Sequence, residues 1–160
     1  VSLDIGTKSL GMATWDTTTK RLGFGTHDLT SGVPKKRLHD YPYLVRRFIA
    51  GTPAFATADV VLVERQMSPV MKQMQVCFVC FLFDKAVVVS PRSVKCHLAT
   101  SCGQYNANKH AAVAYVLSEA CALMSPDHRV ALRCLKAKQR SDCADAVCQI
   151  VWYVDKVMYK

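Results

Sequence analysis

The chain has 160 residues, of which 51% are hydrophobic, enough for a single packed domain over residues 1–160 and too many for a disordered chain. Lysine and arginine number 21 against 12 acidic residues, and the formal net charge of +9 favours a polyanionic partner, nucleic acid before an anionic membrane. No apolar run reaches the ~18 residues needed to span a bilayer, so we expect no membrane partner.

The first third of the chain predicts an antiparallel meander. Apolar or alternating runs at residues 1–5, 10–15 and 21–29 are typical of strands, and the polar run 16–20 is typical of a turn. A basic loop follows, and Asp40 is then placed to cap a helix that has Pro42 in its first turn.

The middle of the chain alternates between strand and helix patterns. The β-branched run 59–64 suits a strand covered on both faces, and Ser68-Pro69 opens a helix to about residue 84. Residues 86–89 predict a second buried strand, and 94–98 a short helix.

The last third predicts helices. Residues 100–108 are expected to form a loop, with Asn108 capping a helix from 109 to about 124 that Ser125-Pro126-Asp127 breaks. The charged cluster 136–140 then precedes a final helix that begins at Ser141 or Asp142. The order of elements predicts an α/β domain, with a mixed central sheet of three antiparallel strands followed by parallel strands and helices on both faces.

Eight cysteines are present, and the first residues do not have the pattern of a secretory leader. We interpret the cysteines as reduced thiols in a reducing, cytoplasmic compartment. Cys77 and Cys80 have CxxC spacing, and with Cys96, His97 and Cys102 they leave a zinc site as an alternative. Their strongly apolar neighbours favour small thiols buried on a core helix.

Four carboxylates stand at positions suited to a metal site. Asp4 ends the first predicted strand before Gly6, and Glu64 ends the run Val60-Val61-Leu62-Val63. Asp142 and Asp145 are three residues apart and share one face near the start of the last predicted helix, where negative charge is tolerated. Each acid alone is also compatible with a cap or a solvated surface group.

Carboxylates gathered within a few ångströms of one another resist joint ionisation, and a divalent cation removes that conflict. Two Mg²⁺ ions ~3.5–4 Å apart can activate a water molecule and stabilise a leaving oxygen. The implied chemistry is phosphodiester hydrolysis that leaves a 5′-phosphate and a 3′-hydroxyl.

At these residues the chain resembles the poxvirus-type Holliday-junction resolvases, members of the RuvC-like branch of the RNase H fold. Five pieces carry the resemblance in family order: residues 2–8 (SLDIGTK), residues 59–66 (DVVLVERQ), Val89-Ser90-Pro91, Tyr105 with Asn108-Lys109, and residues 142–146 (DCADA). The ERQ after the apolar strand and the late DCADA are the most specific, since the opening DIGT also occurs in actin-like ATPases.

The resemblance implies an RNase H-like homodimer that binds four-way DNA junctions and nicks two strands symmetrically with Mg²⁺ or Mn²⁺. It assigns Asp4, Glu64, Asp142 and Asp145 as metal ligands. Lys109 matches a basic position near the active site, where it either assists catalysis or contacts DNA. For a poxvirus-type enzyme, the expected location is the site of viral replication in the host cytoplasm.

Basic residues spread along the chain are candidates for contacts with the DNA backbone, which suits an enzyme that reads junction shape. Tyr105 is placed either to stack on an exposed base or to pack. The candidate DNA-binding residues are Lys35, Lys36, Arg37, Arg92, Lys95, Tyr105, Lys109 and Arg140.

Three other functions remain open at this point. The first is another RNase H-like nuclease, acting on RNA–DNA hybrids or on other branched DNA. The second is a nucleotide-binding actin-like fragment, which the seven glycines and short length disfavour. The third is a catalytically inactive nucleic-acid-binding module, which four retained acids disfavour because like charges are costly to gather without a cation.

Overall fold

The structure is a computed structural model that describes residues 1–100 and 104–158. Its centre is a five-stranded sheet in the order β3-β2-β1-β4-β5. β1 pairs antiparallel with β2, β2 pairs antiparallel with β3, and the β1–β4 and β4–β5 pairs are parallel. The predicted mixed sheet is therefore confirmed. The strands are β1 (Ser2–Asp4), β2 (Leu10–Asp16), β3 (Arg21–His27), β4 (Val61–Glu64) and β5 (Ala86–Val89).

Helices cover both faces of this sheet, as predicted. One hydrophobic core joins α1 and α3 to one face, and a second joins α5, α6 and α7 to the other. Within the described residues, no helix combines the length and apolar character needed to cross a bilayer. The helices are α1 (Tyr41–Ala50), α2 (Ala54–Thr57), α3 (Pro69–Phe81), α4 (Pro91–His97), α5 (Tyr105–Ser118), α6 (Pro126–Cys134) and α7 (Ala137–Tyr153), with 3₁₀ turns at Lys35–Arg37 and Ala120–Leu123 and a π-helical turn at Val154–Met158.

Two local signals in the sequence act as expected. Asp40 caps α1, because its Oδ1 accepts a hydrogen bond from the backbone N–H of Tyr43 at 3.2 Å. Asp16 closes the β2–β3 turn, because its Oδ1 accepts from the N–H groups of Thr18 at 2.8 Å and Thr19 at 3.1 Å. Short polar side chains thus set both the meander and the first helix.

Strand β5 differs from its prediction as a buried strand. It lies at the edge of the sheet, and only Val89 of its four residues is buried. A run of Ala and Val has the same appearance in a central strand and in an edge strand, so the sequence pattern does not separate the two cases.

The helices after residue 100 also begin and end differently. α5 begins at Tyr105, with Gln104 as its N-cap, rather than after Asn108, and it ends at Ser118. The predicted break at Ser125 is instead the start of α6, because Ser125 Oγ accepts from the N–H of His128 at 3.2 Å and Pro126 occupies the first turn. The Ser-Pro pair thus marks only a helix start, because α5 has already ended at Ser118.

The final helix begins at Ala137, four residues before the predicted start. The charged cluster before Ser141 is its first turn, since Lys, Gln and Arg are good helix formers. Asp142 and Asp145 therefore lie inside the helix rather than at its N-terminus, and the expected help from the helix dipole does not apply. They belong to an unbroken buried stretch, residues 141–150.

The cysteines carry no disulfide among the described residues. Seven of them are free thiols, and Cys102 lies outside the described residues. Cys77 and Cys80 are both on α3, but Cys77 is only half-buried and Cys80 is exposed, so the expectation of buried thiols is wrong for this pair. Within residues 1–100 and 104–158, no cluster of cysteine, histidine or acidic side chains has the spacing of a formed metal site, so the zinc alternative gains no support.

Helix α7 crosses β2 at unusually close range. A Cβ atom added to Gly11 would lie 2.1 Å from the carbonyl oxygen of Asp142. Because this neighbour is backbone rather than a flexible side chain, the helix can approach the sheet this closely only over a glycine. Gly11 thereby sets the distance between the backbone of Asp142 and the sheet.

Replacing Gly11 by alanine is expected to push α7 away from β2. The free energy of unfolding should fall by about 1–3 kcal/mol, the usual cost of overpacking a core. Urea unfolding measures this change. Gly25→Ala on β3 is the matched control, since its added Cβ meets only His27 Nε2 at 3.5 Å, and it should change stability by less than about 0.5 kcal/mol. Equal stability of the two variants would contradict this role of Gly11.

Candidate active site

Asp4 and Glu64 lie side by side at one end of the sheet. In the parallel pair β1–β4, Ser2 is opposite Leu62 and Leu3 is opposite Val63, and the two acids are the next residues on each strand. Leu3 and Val63 point into the α1–α3 core. Because side chains alternate along a strand, Asp4 and Glu64 point to the other face, which α7 covers.

Helix α7 brings two more acids to this edge. Asp142 and Asp145 are buried, three residues apart on the same side of the helix. Two turns further on, Gln149 Oε1 accepts a hydrogen bond from Ser2 Oγ at 3.0 Å, which fixes α7 against β1. The structure thus brings together the four acids that the sequence singled out.

Asp4 shows how closely the acids approach. Burial raises its pKa well above the ordinary range, and the negative charge of Glu64, a hydrogen bond with Glu64 and the charges of Asp145 and Asp142 raise it further. A hydrogen bond between two carboxyl groups requires a proton on one of them. In the absence of a cation, Asp4 therefore tends to keep its proton.

Asp145 is perturbed in the same direction. Burial raises its pKa to about 6, and Glu64 adds to the rise, while the positive charges of Lys95 and Lys109 oppose it. Lys95 and Asp145 both line a small pocket with Glu64. Lys95, a candidate for DNA contact, therefore lies at the acidic site itself.

Lys109 stands between two of the acids. Its Nζ lies 3.4 Å from Asp142 Oδ1 and 3.6 Å from Asp145 Oδ2. The ammonium group thus takes a position where a cation is attracted to both carboxylates. The structure brings Lys109, which the family resemblance singled out, into contact with two predicted ligands.

The other oxygen of Asp142 is held by two further donors. Ser9 Oγ donates to Asp142 Oδ2 at 2.6 Å, and Lys138 Nζ donates to the same oxygen at 2.8 Å. Lys138 is four residues before Asp142 on the same helix, a spacing that predicts such a pair. Nothing in the sequence pattern points to Ser9, which lies 133 residues away from its partner.

The donor set suits a hard divalent cation. Four carboxylates provide oxygen ligands of the kind that Mg²⁺ takes together with water and phosphate oxygens. The raised pKa values of Asp4 and Asp145 express their burial first and then repulsion from neighbouring carboxylates, and a bound cation would offset both. Among the described residues, the acidic side chains do not lie close enough together to form a complete metal site. Lys109 supplies the positive charge between Asp142 and Asp145.

Three of the basic candidates form an exposed turn before α1. Lys35, Lys36 and Arg37 make the 3₁₀ turn and are exposed. Arg37 Nη1 also pairs with Asp40 at 3.0 Å, and its guanidinium lies 4.7 Å from the centre of the Tyr43 ring. Exposure leaves Lys35 and Lys36 available to a phosphate, whereas Arg37 also supports the helix start.

The remaining candidates for DNA contact differ in exposure and in the contacts that they make. Arg92 is exposed in the first turn of α4. Arg140 Nη2 donates to the carbonyl oxygens of Arg133 at 2.7 Å and Leu135 at 2.8 Å, so it joins the end of α6 to α7 and is a weaker candidate for DNA contact. Tyr105 begins α5, and its side chain lies outside what the structure describes.

A wide cavity of about 730 Å³ lies at the opposite end of the sheet. Its lining includes Val1, Asp16 and Tyr153 and none of the four acids. The pocket at the acidic site holds only about 10 Å³, too little to enclose a small-molecule ligand.

Two solved structures are similar to this chain over nearly its whole length. One is the Fowlpox virus Holliday junction resolvase, with a TM-score of 0.67, 20% identity, and coverage of 98% of this chain and 96% of that one. The other is the Fowlpox virus resolvase in complex with its substrate Holliday junction DNA, with a TM-score of 0.69, 19% identity, and coverage of 98% and 97%. No protein-family model matches the chain, and no curated protein sequence matches it. The likeness confirms the predicted fold, a mixed five-stranded sheet with helices on both faces.

Proposed function

We propose that this protein is a metal-dependent endonuclease that resolves four-way DNA junctions. The observation that carries the proposal is the convergence of Asp4, Glu64, Asp142 and Asp145 at one edge of the sheet, with Lys109 in contact with the last two. The similar Fowlpox virus resolvase was solved with its junction substrate, which supports branched DNA as the partner. Cleavage of a synthetic four-way junction, compared with linear duplex and RNA–DNA hybrid, tests it.

In this proposal the four acids hold Mg²⁺ or Mn²⁺, two ions per site. When bound, such ions activate a water molecule and stabilise the leaving oxygen of the phosphodiester. Lys109 contributes a positive charge beside the acids, where it can stabilise negative charge that develops on a bound phosphate. Lys95 and the exposed Arg92 then hold the DNA backbone on the α4 side of the site.

The raised pKa values predict that stability without metal falls as pH rises. The folded pKa of Asp145, about 6, lies above its ordinary value of 3.8, so the folded chain keeps a proton that the unfolded chain has lost. Stability from this group is full at low pH and decreases between about pH 4 and about pH 6, and Asp4 acts in the same direction. Saturating MgCl₂ should therefore raise the melting temperature more at about pH 8 than at about pH 5.

Thermal unfolding with and without MgCl₂ at the two pH values measures this difference. In Asp145→Asn the acid that titrates near pH 6 is gone, and the difference between the two pH values should shrink. Equal stabilisation of the unaltered protein by Mg²⁺ at both pH values would argue against cation binding by these acids.

We also propose that the protein acts as a homodimer through α3. Val76 is 57% exposed on this helix, and Phe83, two residues beyond the end of the helix at Phe81, is 81% exposed. The helix is apolar on almost all sides and holds one charged residue, Lys72, so two copies of a chain with a net charge of +9 can approach there with little repulsion. Gln75 Oε1 accepts from the N–H of Gln66 at 2.7 Å, which ties α3 to the turn after Glu64.

Sedimentation is expected to give about twice the chain mass of 17.8 kDa. Phe83→Asp should reduce the mass to that of one chain, because a buried charge has no partner across an apolar seam. Val130→Asp, at a residue of α6 that is 62% exposed, is the matched control and should leave the mass unchanged. A dimer that survives Phe83→Asp would place the interface elsewhere, and a monomeric unaltered protein would exclude paired nicking by a stable dimer.

The seven free thiols among the described residues support the reducing, cytoplasmic compartment as part of this proposal. A poxvirus-type enzyme would work there at sites of viral replication.

A further inference from the structure

The turn between β1 and β2 is held in one compact shape. A Cβ atom added to Gly6 would lie 2.3 Å from the carbonyl oxygen of Ser9, so the chain folds back tightly over this glycine. The N–H of Leu29 donates to the carbonyl oxygen of Thr7 at 2.9 Å and anchors the turn from the other side. Ser9, at the end of the turn, therefore has a backbone fixed at both ends.

This backbone aims the hydroxyl of Ser9 at α7. Ser9 Oγ donates to Asp142 Oδ2 at 2.6 Å, a short hydrogen bond of the charge-assisted kind. Lys138 Nζ reaches the same oxygen at 2.8 Å. The other oxygen, Oδ1, faces Lys109 at 3.4 Å and, through it, Asp145. The two oxygens of one carboxylate thus have separate surroundings.

We propose that Ser9 is a positioning residue for the metal-dependent reaction. Ser9 fixes the rotation of the Asp142 carboxylate, so that Oδ1 is the oxygen that faces a bound cation. This inference rests on the proposed function. It assigns Ser9 a role through Asp142 and not through direct contact with substrate. It also gives the turn between β1 and β2 a function, since this turn follows the strand that carries Asp4 and places the Ser9 hydroxyl against the helix that carries Asp142 and Asp145.

Ser9 is better suited to this role than Lys138. Lys138 has a long side chain that is 74% exposed, and ordering such a side chain at the surface costs much of what its ion pair contributes. Ser9 has a single side-chain torsion and a fixed backbone. Residues that orient metal ligands typically change metal affinity or activity about 10- to 100-fold when they are removed.

The test compares Ser9→Ala and Ser9→Thr with the unaltered protein. Calorimetric titration with Mn²⁺ alone, without DNA, should show affinity about 10- to 100-fold weaker for Ser9→Ala and restored for Ser9→Thr, which keeps the hydroxyl. In junction cleavage, the Mg²⁺ concentration for half-maximal rate should rise by a similar factor, while junction affinity without metal stays unchanged. Ser118→Ala, which removes a hydroxyl that donates to Ala114 O at 3.0 Å on α5, is the matched control.

Each result decides between the inferences. Unchanged Mn²⁺ affinity in Ser9→Ala, or equal loss in Ser9→Ala and Ser9→Thr, would overturn the role of Ser9 and leave the proposed nuclease intact. An unaltered protein that binds Mn²⁺ but cleaves no junction would overturn the nuclease, while the affinity series still tests Ser9. An unaltered protein that binds no divalent cation would overturn both.

Discussion

Replacement of Asp4 by asparagine is expected to abolish junction cleavage and, without metal, to make the protein more stable. Asp4 has a pKa raised well above its ordinary range by burial and by the charges of Glu64, Asp145 and Asp142. Folding at neutral pH therefore carries the cost of either ionising this carboxyl or keeping its proton. Asparagine keeps the shape and removes that cost.

The cleavage rate should fall at least about 10³-fold, since losing a cation ligand removes several kcal/mol of transition-state stabilisation. Junction binding measured without metal should change little, because Asp4 then tends to keep its proton and asparagine replaces a group that is already neutral. At about pH 7.5 without Mg²⁺, the midpoint of urea unfolding should rise, and the gain should vanish below about pH 4, where the carboxyl is protonated in both the folded and the unfolded chain.

Asp142→Asn is the matched comparison, with the opposite effect on stability. It too should abolish cleavage, but it removes the negative charge and one of the two acceptor oxygens that Ser9, Lys109 and Lys138 share, and should lower the free energy of unfolding by about 2 kcal/mol. Retained cleavage in either variant would remove that residue from the set of ligands. Stability changes of the same sign in both would contradict the different environments of the two acids.

Replacement of Lys109 by methionine is expected to slow cleavage and to tighten metal binding. At saturating Mg²⁺ the rate should fall about 10²- to 10³-fold, the usual effect of losing one charged stabiliser of a transition state. The Mg²⁺ concentration for half-maximal rate should fall as well, because Lys109 competes with a cation for Asp142 Oδ1 and Asp145 Oδ2. Single-turnover cleavage across a Mg²⁺ titration separates the two effects.

Lys156→Met is the matched control for charge, because Lys156 is exposed in the π-helical turn and takes no part in the acidic site. If Lys109→Met lowers the Mg²⁺ concentration for half-maximal rate but leaves the rate at saturating Mg²⁺ unchanged, the role of Lys109 is limited to competition with the cation. If neither the rate nor the Mg²⁺ concentration for half-maximal rate changes, Lys109 has no role in the active site.

Much of the site was predictable because its parts follow apolar runs. Asp4 and Glu64 end strands whose hydrophobic residues are unambiguous, and parallel pairing places such strand ends at the same edge. The i, i+3 spacing of Asp142 and Asp145 indicated a shared helix face correctly even though the helix begins earlier than expected.

The rest depended on tertiary contacts that a sequence does not record. The hydrogen bond from Ser9 to Asp142 joins residues far apart in the chain, and the crossing of α7 over Gly11 depends on backbone atoms of both elements. The position of β5 at the edge of the sheet is set by the order in which the strands pair. Its Ala-Val-Val-Val sequence is compatible with a central strand and with an edge strand. Local patterns therefore located the acids but not the residues that orient them.

Cleavage of a synthetic four-way junction, measured beside linear duplex and RNA–DNA hybrid, with and without Mg²⁺, decides whether the gathered acids form a junction-resolving active site. We expect paired nicks in the junction that leave 5′-phosphate ends, only with a divalent cation present, and little cleavage of the other two substrates. Preferential cleavage of the hybrid would reassign the protein to another RNase H-like activity, and no cleavage of any substrate at any Mg²⁺ or Mn²⁺ concentration would contradict a nuclease function altogether.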